Sequence, residues 1–142
     1  MSRSLQLVLV GTALVVLLAG MGAALNRMVA HYHYVMAETE IGFWRREGYV
    51  PDQRARNLAS QHVELALHYS PDNPDYLGLD AYRLGWFAVW AYPSAEAQPL
   101  AKASLQQQQL ALRARPAHLP SYRALDDYQA RLELFSDLPA QR

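Results

Sequence analysis

Residues 7–25 form a run of nineteen positions without one charged side chain, and nothing later in the chain repeats that pattern. A helix rises about 1.5 Å per residue, so the run comes close to crossing a hydrocarbon layer of roughly 30 Å. Leu5, Gln6 and Asn26 extend it to a comfortable length. The first segment, residues 1–27, is therefore expected to be a transmembrane anchor that meets the lipid bilayer through residues 5–26.

A secretory signal peptide is the rival reading, with Arg3 as its positive flank and Gly22-Ala23-Ala24 as small residues for a cleavage site. The apolar stretch outruns the usual signal-peptide core of about 7–15 residues. No strong helix breaker follows before Gly42. The anchor is thus expected to stay attached and to run on into a juxtamembrane helix within residues 28–50. Arg3 lies on one side of the span and Arg27, Arg45 and Arg46 on the other, so basic residues alone do not set its direction. The short tail before the apolar run has the form of a signal-anchor. That form puts the body in the periplasm, outside a bacterial inner membrane crossed once. The spacings Gly20-x-x-x-Ala24 and Ala19-x-x-x-Ala23 would let another transmembrane helix approach closely. Gly and Ala are also common in such helices generally; Gly20 and Ala24 stand as candidate partner contacts.

About 115 residues follow, enough for one small domain. Thirteen basic and thirteen acidic residues cancel, so there is no electrostatic footprint for nucleic acid. Cysteine is absent, which fits either side of the membrane. Ala, Leu and Gln are abundant in the body, and only Val63 and Val89 are β-branched after residue 50, which points to an all-α fold. The eight prolines mark the joints, because a proline inside a helix costs about 3 kcal/mol but is tolerated in its first turn. Between them the spacing predicts helices over 28–47 (closed by Gly48), 52–69, 75–92, 99–115 and 121–136. Apolar stripes at helical spacing support them: Ala55, Leu58, Ala59, His62, Ala66 and Tyr69; Leu77, Ala81, Leu84 and Ala88; Tyr122, Leu125, Tyr128, Leu132 and Phe135. Joints of four to six residues favour antiparallel neighbours. The helical-hairpin domain is expected over 51–137, with 138–142 as a tail.

A weak internal repeat runs through this body. Ala66-Leu67-His68-Tyr69-Ser70-Pro71 recurs as Ala111-Leu112-Arg113-Ala114-Arg115-Pro116, offset by 45 residues. Pro74-Asp75-Tyr76 then answers Pro120-Ser121-Tyr122, and Leu79-Asp80 answers Leu125-Asp126. A helix ending in Ala-Leu, a proline turn and an aromatic opening the next helix resembles the tetratricopeptide class of α-solenoids. The period here is longer than that family's 34 residues or so. Its small residues at the helix crossing are matched only by Gly78, Gly85, Ala81 and Ala124. The layout also resembles the small VpsP-like accessory proteins of exopolysaccharide biosynthesis: one N-terminal span, a short helical body, the turn Asn73-Pro74-Asp75-Tyr76-Leu77, and Arg115-Pro116 leading into Pro120-Ser121-Tyr122. That resemblance implies an accessory role in polysaccharide synthesis or export.

The segment Leu84-Gly85-Trp86-Phe87-Ala88-Val89-Trp90-Ala91-Tyr92 holds two of the three tryptophans and no charge. Tyr82, Trp86 and Trp90 share one helix face and Leu77, Ala81, Leu84 and Ala88 the other, so the helix is apolar nearly all round. Either the aromatic face docks on a partner or the interface, where aromatics concentrate, or the helix is clamped in the core. His31 and His33 point about 200° apart on a helix, and His62 and His68 lie on nearly opposite faces, so no metal set is expected. Tyr32 and Tyr34 read as an aromatic belt, Asn73 and Asp75 as turn and cap residues, and Arg45-Arg46 as lipid-phosphate contacts or as flanks of a surface Trp44. No nucleophile elbow, zinc helix, phosphate loop or dinucleotide fingerprint occurs. The sequence thus predicts no catalytic, cofactor or metal residues, and a membrane-anchored, non-enzymatic adaptor for protein partners in a cell-envelope assembly. An accessory subunit of a respiratory or photosynthetic membrane complex is the alternative.

Overall fold

The computed structural model describes residues 3–136, which form five α-helices and, among those residues, no strand. They are α1 (Arg3–Phe43), α2 (Gln53–Tyr69), α3 (Pro74–Ala91), α4 (Ala97–Ala114) and α5 (Leu119–Ser136). The all-α expectation is met; the tail 138–142 lies outside the described residues.

The apolar run and the juxtamembrane segment are one helix of 41 residues, because nothing between Arg3 and Phe43 breaks the backbone ladder. It is long and apolar enough to cross a membrane. Residues 6–28 are exposed on every side, and packing against the body begins only at Val29 and Ala30. α1 stops at Phe43, short of the expected 47. Turn bonds take over there, Trp44 N donating to Ile41 O at 3.1 Å and Arg46 N to Phe43 O at 2.9 Å. Gly48 then takes φ +78°, a left-handed conformation that costs glycine little.

The later joints follow from capping chemistry. Asp52 accepts a hydrogen bond from Ala55 N at 2.7 Å, and Asn73 accepts one from Asp75 N at 2.9 Å with Pro74 opening α3. α4 and α5 each begin two residues before the expected position. Pro99 and Pro120 therefore sit in a first turn, whose N–H groups have no intrahelical acceptor to lose. The two helix ends paired by the sequence repeat close alike: Ser70 at φ −151°, ψ 76° and Arg115 at φ −141°, ψ 71°.

Contacts show successive helices running in opposite directions. Ala30 of α1 packs with Ala66 near the end of α2, while Ala37, Ile41 and Trp44 meet Ala59 and Val63 further back. α3 runs with α1: Tyr76 stacks on Tyr34 at 5.0 Å, and Phe87 and Trp90 reach Trp44 at 5.9 and 5.0 Å. α4 returns along α3, tied by Ser104 Oγ donating to Ala81 O at 2.6 Å and by Arg115 to Asp75 at 2.9 Å. α5 runs back along α4, with Gln108 Nε2 donating to Ser121 O at 2.9 Å and Phe135 buried among Ala88, Ala97 and Ala101. A Cβ on Gly85 would lie 3.2 Å from Tyr128 Cε1 and 3.3 Å from Ser104 Oγ, so glycine lets α3, α4 and α5 meet there.

Several expected surfaces fall elsewhere. Trp44, read as a surface residue, is 2% exposed, and its Nε1 donates to Glu40 at 3.2 Å. It is the plug between the α1–α2 pair and α3. In α2 the buried stripe is Ala59, Val63 and Ala66, not one carrying Leu58, which is half exposed. Two flanking helices, α1 and α3, select the narrow small-residue edge. In α5, Tyr128 and Phe135 are buried but Tyr122 is exposed, because α5 meets the other helices mainly over its second half.

Candidate functional site

The aromatic row of α3 turns inward. Tyr82, Trp86 and Trp90 are half-buried and pack with Phe87, Leu79 and Leu67 on the core of Ala37, Ile41, Trp44, Ala59 and Val63. Their rings form a chain, with Tyr82–Trp86 at 6.3 Å, Trp86–Trp90 at 5.6 Å and Trp90–Trp44 at 5.0 Å between centroids. The Arg56 guanidinium of α2 lies 4.2 Å over the Trp90 ring, a cation–π lid on its outer face. Trp86 Nε1 is buried without a hydrogen-bond partner. What remains for an external partner is the minor part of these rings that stays in contact with solvent.

Gly20 and Ala24 lie far from this row, on the exposed stretch of α1, with nothing within 4 Å of a Cβ built on Gly20. The five candidate contacts therefore form two separate places, one on the apolar shaft and one in the body.

Beside the aromatic row, α3 also carries charge into the core. Arg83 Nη2 donates to Asp80 Oδ1 at 2.6 Å and its Nε to the same oxygen at 3.0 Å; both residues are buried. Arg83 also lies 3.9 Å from Glu64 of α2 and 5.5 Å over Phe87. Asp75 is engaged by Arg115 at the surface and Asp80 by Arg83 in the core, while the cap of α3 is Asn73.

Helical spacing within one element gave no sign of a pairing between elements. His33 of α1 and His62 of α2 meet Nδ1 to Nδ1 at 2.8 Å. Tyr69 stacks on His33 at 6.5 Å with an interplanar angle of 4°, and Tyr32 sets its edge to His62 at 6.4 Å. A hydrogen bond between two imidazoles needs one nitrogen bare, so the pair holds together only while at least one ring is neutral. Burial, and then the neighbouring His33, lower the His62 pKa below its ordinary value. Two imidazoles are the nearest approach to a metal set: among the described residues no three His, Cys, Asp or Glu side chains gather.

Tyr34 is occupied inside the chain. Its ring lies on Tyr76 and its hydroxyl donates to Glu38 Oε1 at 2.8 Å; burial and that carboxylate push its pKa up. Tyr32 stays exposed. Arg45 and Arg46 lie in the turn just past the end of α1, whose last residue Phe43 is about 24 Å along the helix from Arg27, and the Arg46 guanidinium sits 4.2 Å over the Phe43 ring. An open groove of about 370 Å³ runs between α1 and α2, lined by Met36, Leu58 and Ala59 with Glu40, Asp52 and Arg54 at one end. The chain matches no protein-family model, no curated protein and no solved structure.

Proposed function

We propose that this protein is a single-pass, membrane-tethered helical adaptor without enzymatic activity, which holds a protein partner beside the bilayer. The observation that carries the reading is the continuity of α1. One unbroken helix is apolar over residues 7–25, uncovered through residue 28, and then supplies Ala30, Ala37 and Ile41 to the core. A helix shared in this way couples the body rigidly to whatever the shaft is embedded in.

In this reading the body is an antiparallel helical-hairpin domain of tetratricopeptide-like character. The matched caps at Ser70 and Arg115 and the alternating helix directions support that description. The shaft crosses a bacterial inner membrane with the body on the periplasmic side, and the partner belongs to a polysaccharide synthesis or export assembly. The solvent-facing part of Tyr82, Trp86 and Trp90 and the open face at Gly20 and Ala24 are the proposed contacts. That second face also supports the other reading, an accessory subunit packed against the spans of a respiratory or photosynthetic complex.

Purification of the full chain in mild detergent, with identification of co-purifying proteins, tests the proposal. Recovery of glycosyltransferase or export components is the expected result. Recovery of haem- or pigment-bearing subunits would transfer the protein to the accessory class. A lone monodisperse chain would sink both.

A further inference from the structure

We propose that the α2–α3 turn, residues 69–73, rests in the phospholipid headgroup layer, so that the body lies on the bilayer rather than standing away from it. The proposal rests on the tether reading above and adds a lipid-contact surface on the body itself.

The register between α1 and α2 carries the argument. The two helices run oppositely, with Ala30 packed against Ala66. Three residues further along α2, Tyr69 is level with Arg27, three residues back along α1, since both helices rise about 1.5 Å per residue. Pro71 and Asp72 follow in the turn just past the end of α2. The uncharged run ends at Asn26. If residues 5–26 fill a hydrocarbon layer of roughly 30 Å, the turn arrives at its edge, where the polar layer adds about 5–7 Å.

A second observation agrees independently. The shaft is uncovered up to Met28 and covered from Val29 on, so the body begins where the apolar run stops and leaves no bare stalk between them. The residue types at that level suit the polar layer. Tyr69 is exposed at the end of α2 with its ring held against His33, an amphipathic phenol suited to the polar layer. Arg27 is an exposed cation placed for lipid phosphate, and Pro71 and Asp72 are exposed beside it. Position 50 is also exposed and apolar, but it lies in the joint at the other end of the α1–α2 pair, where the same register sets Phe43 and Gln53 about 24 Å from Arg27.

The chain has no cysteine, so single labelling sites are free of background. The full-length variants Leu17→Cys, Tyr69→Cys and Val50→Cys, each carrying an environment-sensitive fluorophore, are reconstituted into phosphatidylcholine–phosphatidylglycerol vesicles. Lipids carry a nitroxide either on the headgroup or on the acyl chain. The expected result is quenching of position 17 by the chain nitroxide, of position 69 by the headgroup nitroxide, and of position 50 by neither. A label at 69 that behaves like the one at 50, with 17 still quenched, overturns this inference alone and leaves the turn to a protein partner. A label at 17 that escapes the chain nitroxide overturns the tether, and this inference with it. Asp72→Cys, labelled in the same way, repeats the test should substitution of Tyr69 disturb the stack on His33.

Discussion

At the residue scale, two glycines of α3 separate chain flexibility from packing. Gly78 has open space where a Cβ would go, so Gly78→Ala should stabilise the protein by up to about 1 kcal/mol through helix propensity alone. At Gly85 the same methyl meets Tyr128 at 3.2 Å and a Ser104 hydroxyl already held by Ala81 O. Overpacking of this kind costs about 1–3 kcal/mol, so Gly85→Ala should come out destabilising despite the propensity gain. Thermal unfolding of the full chain in mild detergent, followed by circular dichroism, reads both. The His33–His62 pair adds a pH dependence of definite sign. Because the folded protein holds the His62 pKa below 6.5, the unfolded chain binds more protons as pH falls through that value. Stability should therefore drop as pH falls below about 6.5 and level off once pH is under the folded-state value. His62→Phe should flatten that slope; an unchanged slope would mean that another group carries it.

At the element scale, α3 is the axis of the body, and its two faces do different work. The aromatic face reaches across to Trp44, while the Ala88–Gly85–Ala81 edge receives α4 and α5. Trp44 touches both Phe87 and Trp90 and is almost fully buried, so Trp44→Ala should cost about 3–5 kcal/mol and loosen α1 from α3 together. Trp86 is only partly buried, so Trp86→Ala should cost less than Trp44→Ala, with its main effect on partner recovery. The comparison of unfolding midpoints against co-purification yield separates the structural from the docking contribution of the row. Equal losses of stability at Trp44 and Trp86 would contradict this division.

At the scale of the whole molecule, α1 makes one rigid lever from two environments. Residues 6–28 are all exposed, so insertion of two alanines after Arg27 should leave the unfolding midpoint of the body in detergent nearly unchanged. The same insertion turns the body by about 200° and lifts it by about 3 Å relative to the shaft, and so should abolish recovery of a partner that grips both. Retained recovery would show that the partner reads the body alone. The sequence alone was sufficient for the helical class, the five segments, the unbroken passage from apolar run to body, and the cap at Asn73. Those are local properties: backbone hydrogen bonds within a segment, proline geometry and the length of an uncharged run. Tertiary structure decided which face each helix spends. It buried Trp44 and the Asp80–Arg83 pair, exposed Leu58 and Tyr122, and brought His33 to His62. Periodicity within one helix specifies a stripe but not its partner, and pairing across helices depends on crossing position and register, quantities that no single segment contains.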